Sequence, residues 1–181
     1  MYCIILLNWK LLPMTLYHGS DQIIKTPELG LPARTLDFGP GFYTTTNKEQ
    51  AADFAVKVYE RSVRAGNIPQ GKFISIYELD YEAMQRTVDV LRFESASEEW
   101  FDFVIANRRN ARQGKRYDVI YGPVTNDTIY RTLIAFENGL LSKAETIERL
   151  KVSHVFEQMT FASNRSLSFL KFSGFTKVAD A

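Results

Sequence analysis

The chain has 181 residues, of which 45% are apolar and 24% are charged, and its net charge is +1. One hydrophobic core serves about 100 to 200 residues, so these numbers predict a single folded domain and exclude a disordered chain. The balanced charge lacks the overall basic footprint of nucleic-acid-binding proteins. The single cysteine, Cys3, excludes an internal disulfide, and with only two histidines we predict no metal site.

The first thirteen residues, MYCIILLNWKLLP, differ from the sequence that follows them. Their apolar run is broken by Asn8 and Lys10 and is far shorter than the roughly 20 residues of a membrane helix. They also lack the basic start and small-residue end of a signal peptide. We therefore expect residues 1–13 to be a non-native or over-extended start, residues 14–181 to form one domain, and the protein to be cytoplasmic without membrane contact.

Strand patterns occur near both ends of the domain, and helix patterns lie between them. The first helix is predicted from Asn47, which can form a capping box with Gln50, to Arg64, and the second from Ser95 to Gln113. One apolar stripe of the first helix is predicted to be buried: Ala51, Phe54, Ala55, Val58 and Tyr59. The predicted strands are Thr15–His18, Phe42–Thr46, Lys72–Asp80, Thr87–Phe93, Tyr117–Val124 and Val155–Phe161.

The order of these elements predicts the fold class. Gly19 and Ser20 are predicted as a flexible end of the first strand. Two further helices are predicted to start near Asn126 and Ser142, and Phe172–Val178 is a C-terminal segment. Because strands and helices do not alternate regularly, we expect an α+β fold with a mixed or antiparallel sheet. The Gly39-Pro40-Gly41 sequence precedes a strand instead of opening a helix, which excludes a dinucleotide-binding fingerprint of the doubly wound type.

Three segments together carry a resemblance to a known superfamily. They are Leu16–Ser20 (LYHGS), Phe38–Thr45 (FGPGFYTT) and Phe156–Phe161 (FEQMTF). In this order they resemble the ADP-ribosyltransferase superfamily, in particular its poly(ADP-ribose)-polymerase-like branch. From Met14 to about Phe172 the chain is also similar to an uncharacterised bacterial family of this architecture. The resemblance implies an ADP-ribosyltransferase-like split sheet, antiparallel or mixed, flanked by helices.

The resemblance also implies which residues bind NAD, the substrate of these enzymes. His18 would bond the adenosine ribose, Gly19 would leave backbone groups open to the nicotinamide amide, and Tyr43 would stack on the nicotinamide ring. Glycines 39 and 41 would let the chain approach the cofactor closely. The implied catalytic residues are His18, Tyr43 and Gln158. The implied cofactor-binding residues are His18, Gly19, Ser20, Gly39, Gly41, Phe42, Tyr43, Thr44 and Phe54.

Two positions depart from the branch that the chain resembles. Phe54 stands where a second tyrosine closes the nicotinamide sandwich, and Ala51 stands where a serine bonds the nicotinamide carbonyl. The third catalytic position, usually glutamate, is matched by Gln158, with Glu157 as the alternative. Adjacent strand residues point to opposite faces, so only one of the two can enter the site. A glutamine supplies a hydrogen bond without a charge, which argues against polymer elongation.

We therefore expect a mono-ADP-ribosyltransferase that transfers ADP-ribose from NAD to a protein or nucleic acid acceptor, with an antitoxin-like partner by analogy. The alternatives are a catalytically silent NAD- or ADP-ribose-binding module and an NAD glycohydrolase. A tRNA 2′-phosphotransferase-like activity would need additional histidines and arginines in the early motif. A basic run after residue 107 is interpreted as a solvated helix end, with NAD phosphates as the alternative partner: Arg108, Arg109, Arg112, Lys115 and Arg116.

Overall fold

The computed structural model describes residues 13–30, 36–109, 114–124, 127–151 and 156–179. The strands of this part of the chain are β1 (Met14–Ser20), β2 (Phe42–Thr45), β3 (Phe73–Leu79), β4 (Val90–Arg92), β5 (Val119–Val124), β6 (Phe156–Phe161) and β7 (Leu170–Lys177). The helices are α1 (Lys48–Arg64), α2 (Tyr81–Gln85), α3 (Glu98–Arg108), α4 (Asp127–Glu137), α5 (Lys143–Lys151) and α6 (Asn164–Leu167).

The strands form one seven-stranded sheet in the order β4-β5-β6-β2-β1-β3-β7. The β4–β5 pair is parallel and the other neighbours are antiparallel. Helices pack on the sheet, so the predicted α+β class with a mixed sheet is confirmed. No helix within the described ranges is long and apolar enough to cross a membrane.

The sheet separates two apolar cores, because successive side chains of a strand point to opposite faces. Along β5, Val119 and Tyr121 belong to the first core, whereas Ile120 belongs to the second. The first core also holds Met84 of α2 and Leu167 of α6, and the second is built mainly from α3, α4 and α5. Each face of the sheet is thus covered by its own set of helices.

Several predicted boundaries are wrong in instructive ways. Gly19 and Ser20 are not a flexible end but the last residues of β1, where they pair with Ile74 and Phe73 of β3. Helix α3 begins after Ser97 instead of Ser95, because the Ser97 hydroxyl accepts a hydrogen bond from the Trp100 N–H. The short helix α2 was not predicted, although the Asp80 carboxylate caps it.

Helix α1 starts as predicted, with the Asn47 side chain accepting a hydrogen bond from the Gln50 N–H at 2.8 Å. The predicted capping box is only half formed, because the Gln50 side chain contacts the Thr45 hydroxyl instead. The predicted buried stripe is wrong at Phe54, which is 40% exposed, while the small residues Ala51 and Ala55 carry the contact with the sheet. Small side chains let the helix approach the strands closely. The predictions for residues 1–12, Arg112 and Asn126 concern positions outside the described residues.

Candidate functional site

The two edges of strand β1 are paired very differently. On one side, all seven residues from Met14 to Ser20 pair with β3. On the other side, the register with β2 contains one pair, Tyr17 opposite Thr45. Beyond that pair the register contains no partners between His18–Ser20 and Phe42–Thr44, so the pairing of the two strands opens there. We call this opening, between residues 18–20 and 42–44, the β1–β2 split.

The His18 ring spans the split. Its Nδ1 lies 2.7 Å from the Tyr43 carbonyl oxygen, and the ring stacks on Phe42 at 4.3 Å between centroids. A carbonyl only accepts hydrogen bonds, so Nδ1 carries the proton. Burial lowers the pKa of His18 below 6.5, although the bond to Tyr43 opposes this, and the ring is neutral at pH 7. Nε2 is therefore an acceptor, and none of the described residues hydrogen-bonds it.

Tyr43 lies on the other face of the sheet from the His18 ring. Its side chain packs beside the second core and is partly exposed, and its hydroxyl donates a 2.5 Å hydrogen bond to the Gly39 carbonyl. The backbone of Tyr43 thus contacts His18, while its side chain contacts the turn before β2. The Tyr43 hydroxyl is thus engaged inside the protein.

The glycines of the two motifs have packing roles within the protein. A Cβ atom at Gly19 would lie 2.0 Å from the Ala51 carbonyl oxygen, because α1 crosses directly over β1. At Gly41 it would lie 2.7 Å from the Phe161 carbonyl oxygen. Gly39 has φ +80°, a conformation that favours glycine. Their small size is thus required by protein contacts, whether or not a cofactor also approaches them.

The register of β2 and β6 separates the two alternatives for the third site residue. Gln158 pairs with Thr45, and Thr160 pairs with Tyr43, so Gln158 and Tyr43 share one face of the sheet. Diagonal partners of this kind are about 7 to 8 Å apart. Glu157 lies on the opposite face, where its carboxylate accepts a hydrogen bond from the Tyr121 hydroxyl. The structure therefore groups Gln158, and not Glu157, with Tyr43.

The remaining predicted binding residues are mostly used inside the fold. Thr44 is buried, and its hydroxyl donates to the Met159 carbonyl at 3.0 Å. Ser20 is 8% exposed, and its hydroxyl lies 3.4 Å from the Asp21 carboxylate. Ala51 is buried against Gly19, so this position cannot replace the serine that it matches in the resembling branch. Phe54, in contrast, is exposed on α1.

Residues of α3 hold the turn that precedes β2. The Asn107 side chain is buried and donates to the Asp37 carbonyl at 3.1 Å and to the Phe103 carbonyl at 3.0 Å. The Arg108 guanidinium lies 3.2 Å from the Asp37 carboxylate and 3.2 Å from that of Glu137. Burial opposes this charge, but the two carboxylates outweigh it and raise the pKa of Arg108. No sequence pattern predicted that Asp37 contacts both Asn107 and Arg108.

The interpretation of the basic run as a solvated helix end is wrong for Arg108, whose side chain is only 10% exposed. Arg108 is committed to the two carboxylates just described, and Lys115 pairs with Asp89 at 2.9 Å. Arg109 lies over the Phe136 ring at 5.8 Å. Arg108, Arg109 and Lys115 thus contact different elements. The described residues include no group of three or more His, Cys, Asp or Glu side chains that could hold a metal ion.

One comparison with known proteins places the chain. The model of a family described as "Protein of unknown function (DUF3990)" matches residues 14–172, which run from the start of β1 into β7 and include every residue of the candidate site. No curated protein and no solved structure matches the chain.

Proposed function

The chain belongs to the DUF3990 family, and we propose that it binds NAD at the β1–β2 split and transfers one ADP-ribose unit to a macromolecular acceptor. The observation that carries this proposal is the split itself. A strand fully paired on one edge opens on the other, at the residues that carry the sequence resemblance to ADP-ribosyltransferases. Backbone groups in such an opening are available to an amide-bearing ligand.

The protonation state of His18 suits a ribose. Its Nε2 is an acceptor, and a ribose hydroxyl is a donor that can complete the bond. The lowered pKa of His18 keeps this acceptor available at neutral pH. A positively charged imidazole would have no lone pair to offer. The Nδ1–H bond to Tyr43 also fixes the ring orientation, so the acceptor is held in place before the ligand arrives.

Phe54 is the second aromatic residue that we propose for the site of Tyr43. The Gln50 side chain contacts Thr45, and both Ala51 and Ala55 pack on Gly19, so α1 runs from the level of Thr45 toward that of Tyr43. One helical turn rises about 5.4 Å, and two strand residues span about 6.8 Å. Phe54, one turn after Gln50, is therefore brought to the level of Tyr43, two residues before Thr45.

The reaction is a substitution at the anomeric carbon of the nicotinamide ribose. The carbon–nitrogen bond breaks, nicotinamide leaves with its electron pair, and a nucleophile of the acceptor forms the new bond and loses a proton to solvent. Gln158, on the face of Tyr43, can hydrogen-bond a ribose hydroxyl but adds no negative charge to stabilise the oxocarbenium-like transition state. Slow transfer of a single unit fits this residue better than chain elongation.

The test is release of labelled nicotinamide from NAD in the presence of a cell extract that supplies acceptors. We expect release by the wild type, and a loss of at least tenfold in His18→Ala and Tyr43→Ala. Tyr59→Ala, on the far half of α1, removes a tyrosine away from the split and serves as the matched control. Absence of both release and saturable NAD binding in the wild type would overturn the proposal.

A second function is favoured by two observations, the neutral side chain of Gln158 and the burial of Ala51. Both features weaken catalysis of NAD cleavage and leave NAD binding intact. They therefore suit a module that binds NAD or ADP-ribose without cleaving it. This function predicts NAD binding that Tyr43→Ala abolishes, with no nicotinamide released by the wild type. Titration of NAD followed by the same release assay separates the two functions.

A further inference from the structure

Two hydrogen bonds and one ion pair hold the turn that precedes β2. Its own backbone closes when the Gly39 N–H donates to the Leu36 carbonyl at 3.0 Å. The Asn107 amide donates to the Asp37 carbonyl at 3.1 Å, and Arg108 pairs with the Asp37 carboxylate. Both contacts come from the last turn of α3, which is anchored in the second core. The turn therefore takes its position from α3.

The same turn sets the Tyr43 side chain. The Tyr43 hydroxyl donates to the Gly39 carbonyl at 2.5 Å, and Gly39 adopts φ +80°. The Asn107 Oδ1 atom lies 3.0 Å from where a Cβ of Gly39 would be, so Asn107 also packs directly against this residue. A movement of the turn would carry the Gly39 carbonyl with it, and the Tyr43 ring would have to follow or lose its bond.

From these contacts we infer that Asn107 is a positioning residue for Tyr43, acting through Asp37 and Gly39. This inference rests on the proposed function for its consequence, since Tyr43 supplies the ring on which nicotinamide would stack. Asn107 is buried, and its two N–H groups donate to backbone carbonyls, so they are used inside the fold. Arg108 supports the same turn through the carboxylate of Asp37.

No other described side chain of α3 is placed to donate this hydrogen bond to the Asp37 carbonyl. Removing it leaves the Asp37 carbonyl without its amide donor while the Arg108 ion pair persists. The turn then keeps the Arg108 ion pair and the packing of Phe38 against Phe103 of α3, but it loses the hydrogen bond that fixes the Asp37 carbonyl. We expect the Tyr43 ring to shift by a fraction of its width, which is enough to weaken stacking because such contacts depend on geometry.

The experiment observes Tyr43 directly. In protein labelled with ¹³C at the tyrosine rings, the Tyr43 signal is identified by its loss in Tyr43→Phe. We expect Asn107→Ala to move this signal and to weaken NAD binding about tenfold. Asn138→Ala, which removes the same side chain from an exposed position at the end of α4, should change neither measurement. A general loss of stability would not single out the Tyr43 signal.

A second variant covers the case in which Asn107→Ala does not fold. Asn107→Leu keeps much of the side-chain volume but removes both N–H donors and leaves the Arg108 ion pairs in place, and we expect it to shift the Tyr43 signal as well. An unchanged Tyr43 signal in every folded variant overturns the inference, even if the wild type binds NAD. A shifted signal with a wild type that does not bind NAD supports the positioning role and overturns the proposed function.

Discussion

The two edges of strand β1 show how one strand serves two purposes. Its β3 edge is paired at every residue from Met14 to Ser20, and β3 is paired in turn with β7. Its β2 edge is paired at Tyr17 only. Backbone pairing stabilises the fold on the first edge. On the second, the His18 side chain donates a hydrogen bond to the Tyr43 carbonyl in place of backbone pairing, so this carbonyl is satisfied.

Helix α1 covers one face of β1 closely. Helix α1 packs on Gly19 so tightly that a Cβ atom cannot fit, whereas one at Gly174 of β7 would meet nothing within 4 Å. Helix α1 thus supports the face of β1 on which Gly19 lies. This comparison predicts which substitutions damage the fold, which alter the chemistry and which affect only binding.

The largest expected effect comes from Gly19→Ala. The added methyl group would lie 2.0 Å from the Ala51 carbonyl oxygen, so α1 or β1 must move, and we expect a loss of about 3 kcal/mol in the free energy of unfolding. Gly174→Ala, on the fully paired side of the sheet, should change it by less than about 1 kcal/mol. Urea denaturation of both variants checks this. Equal stabilities would mean that α1 does not cover β1 as closely as described.

The next effect concerns charge at the third site residue. Gln158→Glu places a carboxylate on the face of Tyr43, where it can stabilise positive charge developing on the ribose, and we expect nicotinamide release to rise about tenfold or more. Glu157→Gln is the matched change on the opposite face and should leave the rate unchanged. A rate that responds to Glu157 instead would assign the site to the other face of the sheet.

A smaller effect is the dependence of stability on pH through His18. Burial lowers its pKa in the folded state, so below about pH 6.5 the unfolded chain takes up a proton that the folded protein resists. The free energy of unfolding should therefore fall with decreasing pH, by at most about 1.4 kcal/mol per pH unit from this group. His18→Gln should remove this part of the slope, as measured by urea denaturation between pH 7 and 5. A variant with the wild-type slope would show that His18 is protonated equally in both states.

Sequence patterns predicted the fold class and most elements, because apolar periodicity and caps such as Asn47 act locally. They failed where packing between distant segments determines a helix start or the burial of a side chain. Ser97 caps α3 in place of Ser95, and Phe54 is exposed although it falls on the apolar stripe of α1. The choice between Gln158 and Glu157 also stayed open, since alternation shows that they face opposite sides but only the pairing with β2 shows which side holds Tyr43.

The smallest expected effect comes from two exposed phenylalanines, which test the difference between the two edges of β1. Phe54 is 40% exposed on α1, and Phe175 is 51% exposed on β7, which β3 separates from β1. An aromatic contact contributes about 0.5 to 1.5 kcal/mol beyond its buried area, so we expect Phe54→Ala to weaken NAD binding by about two- to twelvefold. Phe175→Ala removes a side chain of the same type and similar exposure, and calorimetric titration with NAD should give the wild-type affinity. Equal weakening in both variants would mean that exposed aromatic surface in general, and not the neighbourhood of Tyr43, determines affinity, whereas weakening in Phe54→Ala alone places the nicotinamide end of the ligand between α1 and β2.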